Sequence, residues 1–336
     1  MNRHFLTITM SAAMIVALLA GCSSDIGEPN SESGHEFAPI AFSSSDIKEA
    51  TRGQQITKDA IDYFGVSSSM YPASSTYTDI GCGSFFFNIK IDAATGESGY
   101  NWPGSDCKVS FFAYAPYDNP ALTINSADDK GYPQYKYTVP EAIADQIDFV
   151  TSDVIDESGA AHTAPVPLTF HHRCADIRFL CENVGAEDVT LKSVSIIGVK
   201  YSGTFSGQTW TLEDDVRTFT LEVEQTIAPD AQIDVTGTTN HFIMLPQTAS
   251  VGQQLFDVYA TVGGKTQHFY YTPSSDQTLD AGKVYTFTLK LSDLLVVDEQ
   301  TDIRDWGKET DRSGLPEYEY PASPEVGIGD WNKEEN

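Results

Sequence analysis

One pattern recurs from Phe85 to Leu291: short runs in which apolar and polar residues alternate, with turn residues between them. In Arg217–Val223 the apolar set is Phe219, Leu221 and Val223. In Leu255–Val262 it is Phe256, Val258, Ala260 and Val262, and in Val284–Leu291 it is Tyr285, Phe287, Leu289 and Leu291. Successive side chains of a strand point to opposite faces, so this period of two builds sheets with one buried and one wet face. Gly263-Gly264 between two such runs suits a two-residue hairpin, whose central positions need positive φ. Helical signal is confined to weak stretches such as Lys58–Phe64. The chain therefore reads as all-β. The run Leu168–Cys181 slips parity, with Leu168, Phe170 and Cys174 on one count and Ile177, Phe179 and Cys181 on the other, which predicts a bulge near Ala175-Asp176. Ser158–Pro167, with one Gly, two Pro and small residues, reads as a linker between two domains split near residue 162.

The N-terminus has a separate logic. After Arg3 and His4 comes an apolar run from Phe5 to Ala20, shorter than the ~20 residues that span a bilayer, so it reads as an export signal. It ends in Leu19-Ala20-Gly21-Cys22, which resembles the bacterial lipobox, in which the cysteine is lipidated and becomes the mature N-terminus. Residues 23–35 are small, polar and acidic, as in a flexible spacer. Next, Ala38, Ile40 and Phe42 share one face of a short strand-like run. Pro39 has no amide hydrogen, which places that strand at an edge or Pro39 at its start. A polar stretch then leads to Arg52-Gly53.

Chemistry-bearing motifs are absent or fail on inspection. The net charge of −28 becomes −29 once the signal, with Arg3 its only charged residue of the Asp/Glu/Lys/Arg set, is removed; such a chain repels nucleic-acid phosphates. Gly264-Lys265-Thr266 lacks the first glycine of a phosphate-binding loop, because Tyr259 stands in its place. His171 and His172 are adjacent, so a strand sends them to opposite faces and they cannot share a metal. No catalytic residue, metal ligand or cofactor is expected. Trp102 and Trp210 lie next to turns, where they could stack on sugars or pack at a core rim. Apart from Cys22 there are four cysteines. Cys82 and Cys107 flank two candidate strands and could form a disulfide if those strands make a hairpin; Cys174 and Cys181 read as buried thiols.

The tail carries an internal echo. Ile303-Arg304-Asp305-Trp306-Gly307-Lys308-Glu309 matches Ile328-Gly329-Asp330-Trp331-Asn332-Lys333-Glu334 at five of seven positions, with Pro316, Pro321 and Pro324 between them.

The lipobox Cys22, the Ile-Ala-Phe strand before Thr51-Arg52, Phe111-Phe112-Ala113-Tyr114-Ala115-Pro116-Tyr117, Leu168-Thr169-Phe170-His171-His172, Leu245-Pro246-Gln247 and Ile303-Arg304-Asp305-Trp306 occur in this order. Together they resemble the fimbrillin family of Bacteroidetes-type (type V) pili and the related fimbrillin-like lipoproteins. The resemblance implies two tandem transthyretin-like antiparallel β-sandwich domains and no enzymatic activity. It also implies an outer-membrane lipid anchor at Cys22, surface exposure, and assembly with other pilin subunits into an extracellular pilus. In that scheme a protease cuts after an arginine, here Arg52 before Gly53, the first strand leaves, and another subunit's C-terminal strand fills the gap. The donor candidates are Ile303, Trp306, Ile328 and Trp331. The chain then divides into a signal (1–21), a spacer with removable first strand (22–52), an N-terminal sandwich (53–161), a C-terminal sandwich (162–309) and an acidic Pro-rich extension (310–336). The rival expectation is a surface lipoprotein that does not polymerise and binds a glycan or host ligand.

Overall fold

Alternation in the sequence becomes alternation in burial. Every second side chain of Phe256–Val262 is buried, as it is along Ile177–Asn183 and Tyr285–Leu291. The hairpin glycines take φ of 56° and 77°, and Val262 pairs with Lys265 across them. The computed structural model describes residues 38–44, 61–126, 128, 131–237, 239–292, 295–305 and 333–334. Among the described residues strands dominate, and the α-helical content is a single turn, Tyr77–Ile80.

The sheets enclose two apolar cores. Around the first, a three-stranded sheet (Val166–Leu168, Pro39–Ser44, Glu97–Asn101) lies against a six-stranded one built on Cys107–Ala115 and Tyr63–Pro72. Ile40, Phe42, Val166 and Leu168 from the one meet Phe64, Val66, Val109 and Phe111 from the other. Around the second core, Ala175–Asn183, Lys283–Leu291 and Leu295–Asp305 with two short strands face the sheet of Val216–Ile227, Val189–Lys200, Phe256–Val262, Lys265–Tyr271 and Lys333–Glu334. Phe179 sits at its centre, with ring centroids of Phe242, Phe256 and Phe287 at 5.6, 4.9 and 6.0 Å. A four-stranded sheet ties the halves together, because Gln134–Thr138 pairs with Ser202–Ser206. Tyr114, Tyr135, Tyr137 and Phe149 accordingly belong to the second core.

Several expectations change. Leu168–Cys181 is no single bulged strand: it is three strands, Val166–Leu168, Phe170–His172 and Ala175–Asn183, in three different sheets. Parity slips where the chain leaves one sheet at His172 and enters another at Ala175, and the buried residues pass from the first core at Phe170 to the second from Cys174 onward. The residues read as a linker also hold structure. Ser158 pairs with Lys108, and Val166 begins a strand of the first sandwich. Phe64, placed in a helical stretch, lies in the strand Tyr63–Pro72. Nor is every ladder antiparallel: Pro39–Ser44 runs parallel to Val166–Leu168, and Ala175–Asn183 parallel to Lys283–Leu291.

One buried ionic group sits inside the second sandwich. Both Nε and Nη2 of Arg178 donate to Oδ2 of Asp176, at 2.9 and 2.7 Å. Nδ1 of His241 lies 3.2 Å from the same oxygen, and its Nε2 donates to the carbonyl of Gly237. Burial alone pushes the Asp176 carboxyl up, but the His241 contact and the Arg178 guanidinium outweigh it, so it ionises below the ordinary carboxylate range. A carboxylate depressed in the folded state stabilises above its unfolded value, near 4, and loses that contribution as pH falls through the folded one. Asp176→Asn is expected to destabilise the fold at neutral pH by roughly 3–5 kcal/mol and to flatten the acid limb of stability against pH. Urea unfolding between pH 2 and 7 checks both.

Candidate functional site

Among the described residues the short strand Pro39–Ser44 precedes the other strands of the first sandwich in the chain, and it fills the middle of its sheet. On one side Phe42, Ser43 and Ser44 pair in parallel with Val166, Pro167 and Leu168. On the other, Pro39 and Ala41 pair antiparallel with Asn101 and Glu97. Pro39 opens the strand, where a missing amide hydrogen leaves no gap in the ladder. The Phe42 N–H donates to the carbonyl of Gly96 (2.8 Å), Trp102 N–H to that of Ala38 (3.1 Å), and the Ser98 hydroxyl to that of Ile40 (2.7 Å).

Side-chain burial follows the expected face. Ile40 is fully buried and Phe42 nearly so, while Pro39 and Ser43 are exposed. The Phe42 ring meets Phe111 and Phe64 edge-on, with centroids 5.1 and 6.4 Å away. Burying two such side chains is worth roughly 3–6 kcal/mol together at 1.5–3 kcal/mol each. Without the strand, Phe64, Phe111 and Leu168 would face water, and two neighbouring strands would carry unpaired backbone groups. Gly96 is shaped to this seat. A Cβ there would stand 1.9 Å from the Phe42 carbonyl oxygen, and its φ is 70°. At the far end of the strand, Ser44, Ile61, Asp62, Tyr63, Asp92, Ala93 and Ala94 line a cleft of about 370 Å³. Ser44 and Ile61 thus line the same cleft.

The other sequence-derived candidates divide cleanly. Cys22, Arg52, Gly53, Trp306, Ile328 and Trp331 lie outside the described residues. Ile303 belongs to Leu295–Asp305, an outer strand paired with its own chain's Lys283–Leu291, and its side chain is 53% exposed. No disulfide joins Cys82 to Cys107. Cys107 pairs with Pro72, whereas Cys82 sits beside Ser68 and Ser69, about three residues (~10 Å) along the same strand. Burial pushes the Cys82 thiol up to about 12 and Cys181 likewise, and raises Cys174 further. His171 contacts Asp153 and His172 contacts Asp148, on opposite faces of their strand. Trp102 is buried, with the His162 ring 4.3 Å away, and the Trp210 indole N–H donates to the carbonyl of Arg173. Sequence reading missed the partners of the first strand. Val166–Leu168 and Glu97–Asn101 are short, and nothing local marks which distant strand they will flank.

A family model described as fimbrillin-like matches residues 50–306. The chain belongs to that family. Among relatives of this fimbrillin-like chain, fimbrium subunit Fim1C of Phocaeicola vulgatus is 24% identical over 245 residues, covering 66% of this chain; the match spans 63% of that relative's length. A fimbrial protein from Bacteroides vulgatus has a similar fold, with a TM-score of 0.55 at 16% identity over 80% of this chain and 99% of its own. A candidate cell adhesion protein from Bacteroides ovatus gives 0.50 at 15% identity, covering 80% of this chain and 98% of its own. The matched family region begins after the first strand and stops at Trp306, so both Pro39–Ser44 and the tail lie outside it.

Two glycines of similar backbone separate clash from conformation. Gly99 has φ 74°, and a Cβ added there would meet no atom within 4 Å, so Gly99→Ala is expected to cost only the left-handed penalty of ~1–2 kcal/mol. Gly96→Ala adds the collision with Phe42 and is expected to lower the melting temperature clearly more. Thermal unfolding of the two variants side by side checks this; equal shifts would contradict the seat as described.

Proposed function

We propose that this chain is a structural subunit of a cell-surface pilus that supports adhesion. In this reading the chain is exported on a lipid at Cys22, held at the outer membrane, and built of tandem transthyretin-like sandwiches. A trypsin-like protease cuts between Arg52 and Gly53, the lipid-bearing strand leaves its seat, and a strand from another subunit takes its place. The reading is supported most by the seat itself: the first described strand of the chain, centred in its sheet, with two buried anchors. Strand addition restores both the ladder and the buried surface in one step. Because the strand given and the seat filled lie on different parts of the subunit, the contact does not close on itself and yields a fibre. Membership of the fimbrillin-like family and the fimbrium subunit of Phocaeicola vulgatus add to this support.

The rival reading, a non-polymerising binder of glycans, needs an exposed aromatic platform. Trp102 and Trp210, its candidates, are engaged within the fold, which leaves the pilus reading the better supported. Exposure of the mature protein to a trypsin-like protease is expected to remove about 30 residues and to produce ladders on gels. Arg52→Ala is expected to abolish the ladder while leaving the melting temperature of the uncut protein unchanged. Ladders that persist in that variant would remove Arg52 from the mechanism.

A further inference from the structure

The outer face of the second sandwich carries a carboxylate that the fold leaves without a partner. Along Phe256–Val262 the side chains of Phe256, Val258 and Ala260 point into the core, so Asp257 and Tyr259 stand on the other face. The neighbouring strand Lys265–Tyr271 brings Tyr270 opposite Asp257 and His268 opposite Tyr259. On the other side, Val189–Lys200 sets Ser195 beside Asp257 and Ser193 beside Tyr259. Cross-strand neighbours stand about 5 Å apart and alternate residues of one strand about 7 Å apart, so Asp257, Tyr259, His268 and Tyr270 form one compact block. The Tyr259 and His268 rings meet edge to face with centroids 4.3 Å apart, and the His268 and Tyr270 centroids are 6.2 Å apart.

Among the described residues no group donates to Oδ1 of Asp257, which is buried although the residue as a whole is only half-buried. The Ser195 hydroxyl pairs instead with that of Thr220 (2.9 Å), and Lys192 on the same strand is held by Glu224 (2.7 Å). Burial pushes the Asp257 carboxyl above its ordinary range, and the nearby His268 offsets this only in part. A carboxylate kept in this state costs the fold stability, and the cost is relieved when a positively charged donor arrives.

The block specifies the chemistry of its occupant. A carboxylate calls for charged N–H donors, and the faces of tyrosine rings attract a cation. A guanidinium meets both demands, because its planar fork fits a carboxylate and its faces stack on aromatic rings. The net charge of −28 selects a partner of the same, positive, sign. A second copy is a poor source: among its described side chains Arg178 is held by Asp176, Arg173 lies over the Phe205 ring and Arg217 over the Tyr201 ring. We propose that this block is a docking site for a basic partner protein, which lays an arginine guanidinium on Asp257 with its faces against Tyr259 and Tyr270. The site belongs to a different sheet from the first-strand seat and does not depend on strand exchange.

The test uses the full mature chain with isotopically labelled tyrosine and histidine rings, followed by NMR. It is titrated with a capped glycine pentapeptide bearing a central arginine, with its lysine and citrulline counterparts, and with methyl glucoside. The arginine peptide is expected to shift the signals of Tyr259, Tyr270 and His268, the lysine peptide to bind more weakly, and the uncharged citrulline peptide not to bind. Asp257→Asn is expected to weaken arginine binding about tenfold or more, while holding or raising the melting temperature because an unpaired charge is removed. Tyr259→Phe keeps the ring and the binding, whereas Tyr259→Leu loses affinity several-fold. Binding of methyl glucoside or of the citrulline peptide as tight as that of the arginine peptide would overturn the proposal. So would unchanged arginine binding in Asp257→Asn, or a fall in that variant's melting temperature, which would make the carboxylate a structural group.

Discussion

An apolar sheet face cannot be left bare in water, and in this protein one such face is covered by a strand that the body of the sandwich does not supply. Ile40 and Phe42 close the first core over Phe64 and Phe111, and their strand completes the ladders of Glu97–Asn101 and Val166–Leu168. The rest of the first sandwich is arranged around that contact. Gly96 lets the chain come close enough to accept the Phe42 amide, and Ser44 and Ile61 line one cleft at the strand's far end.

The second sandwich also opens on a strand with a parallel partner, held by a longer ladder. Its first strand, Ala175–Asn183, also runs parallel to a late strand, Lys283–Leu291, but over eight residue pairs rather than three. It is flanked on its other edge by Gln232–Asp234 and Phe242–Met244, and it carries Phe179 and the Asp176–Arg178–His241 group into the interior. Two sandwiches of related topology thus differ in the length of the parallel ladder beside their first strand. The joint between them is firm as well: Arg173 sits over the Phe205 ring, donates to Thr151, and receives the Trp210 indole N–H at its carbonyl. Gln134–Thr138 crosses to pair with Ser202–Ser206.

What could be read in advance was local. Alternation gave the all-β class, the inward faces of Phe256–Val262 and Tyr285–Leu291, the Gly263-Gly264 hairpin and the apolar face of Ala38, Ile40 and Phe42, because each depends on neighbours two residues away. What escaped was long-range. The Leu168–Cys181 parity slip was visible, but a bulge and a change of sheet leave the same trace in the sequence. The parallel partner of the first strand lies more than 120 residues away, and no residue of Val166–Leu168 announces it. The hairpin that would have brought Cys82 to Cys107 did not form, since Cys107 found its ladder partner in Pro72.

Strand exchange requires that the first strand keep its two neighbours in order. Hydrogen exchange followed by mass spectrometry, on the mature chain before and after the strand fragment is removed, measures this directly. Protection is predicted to fall in 97–101 and 166–168 and to persist in 175–183 and 283–291. Unchanged protection in 97–101 and 166–168 would mean that the sandwich is complete without the strand, and would contradict the role given to it.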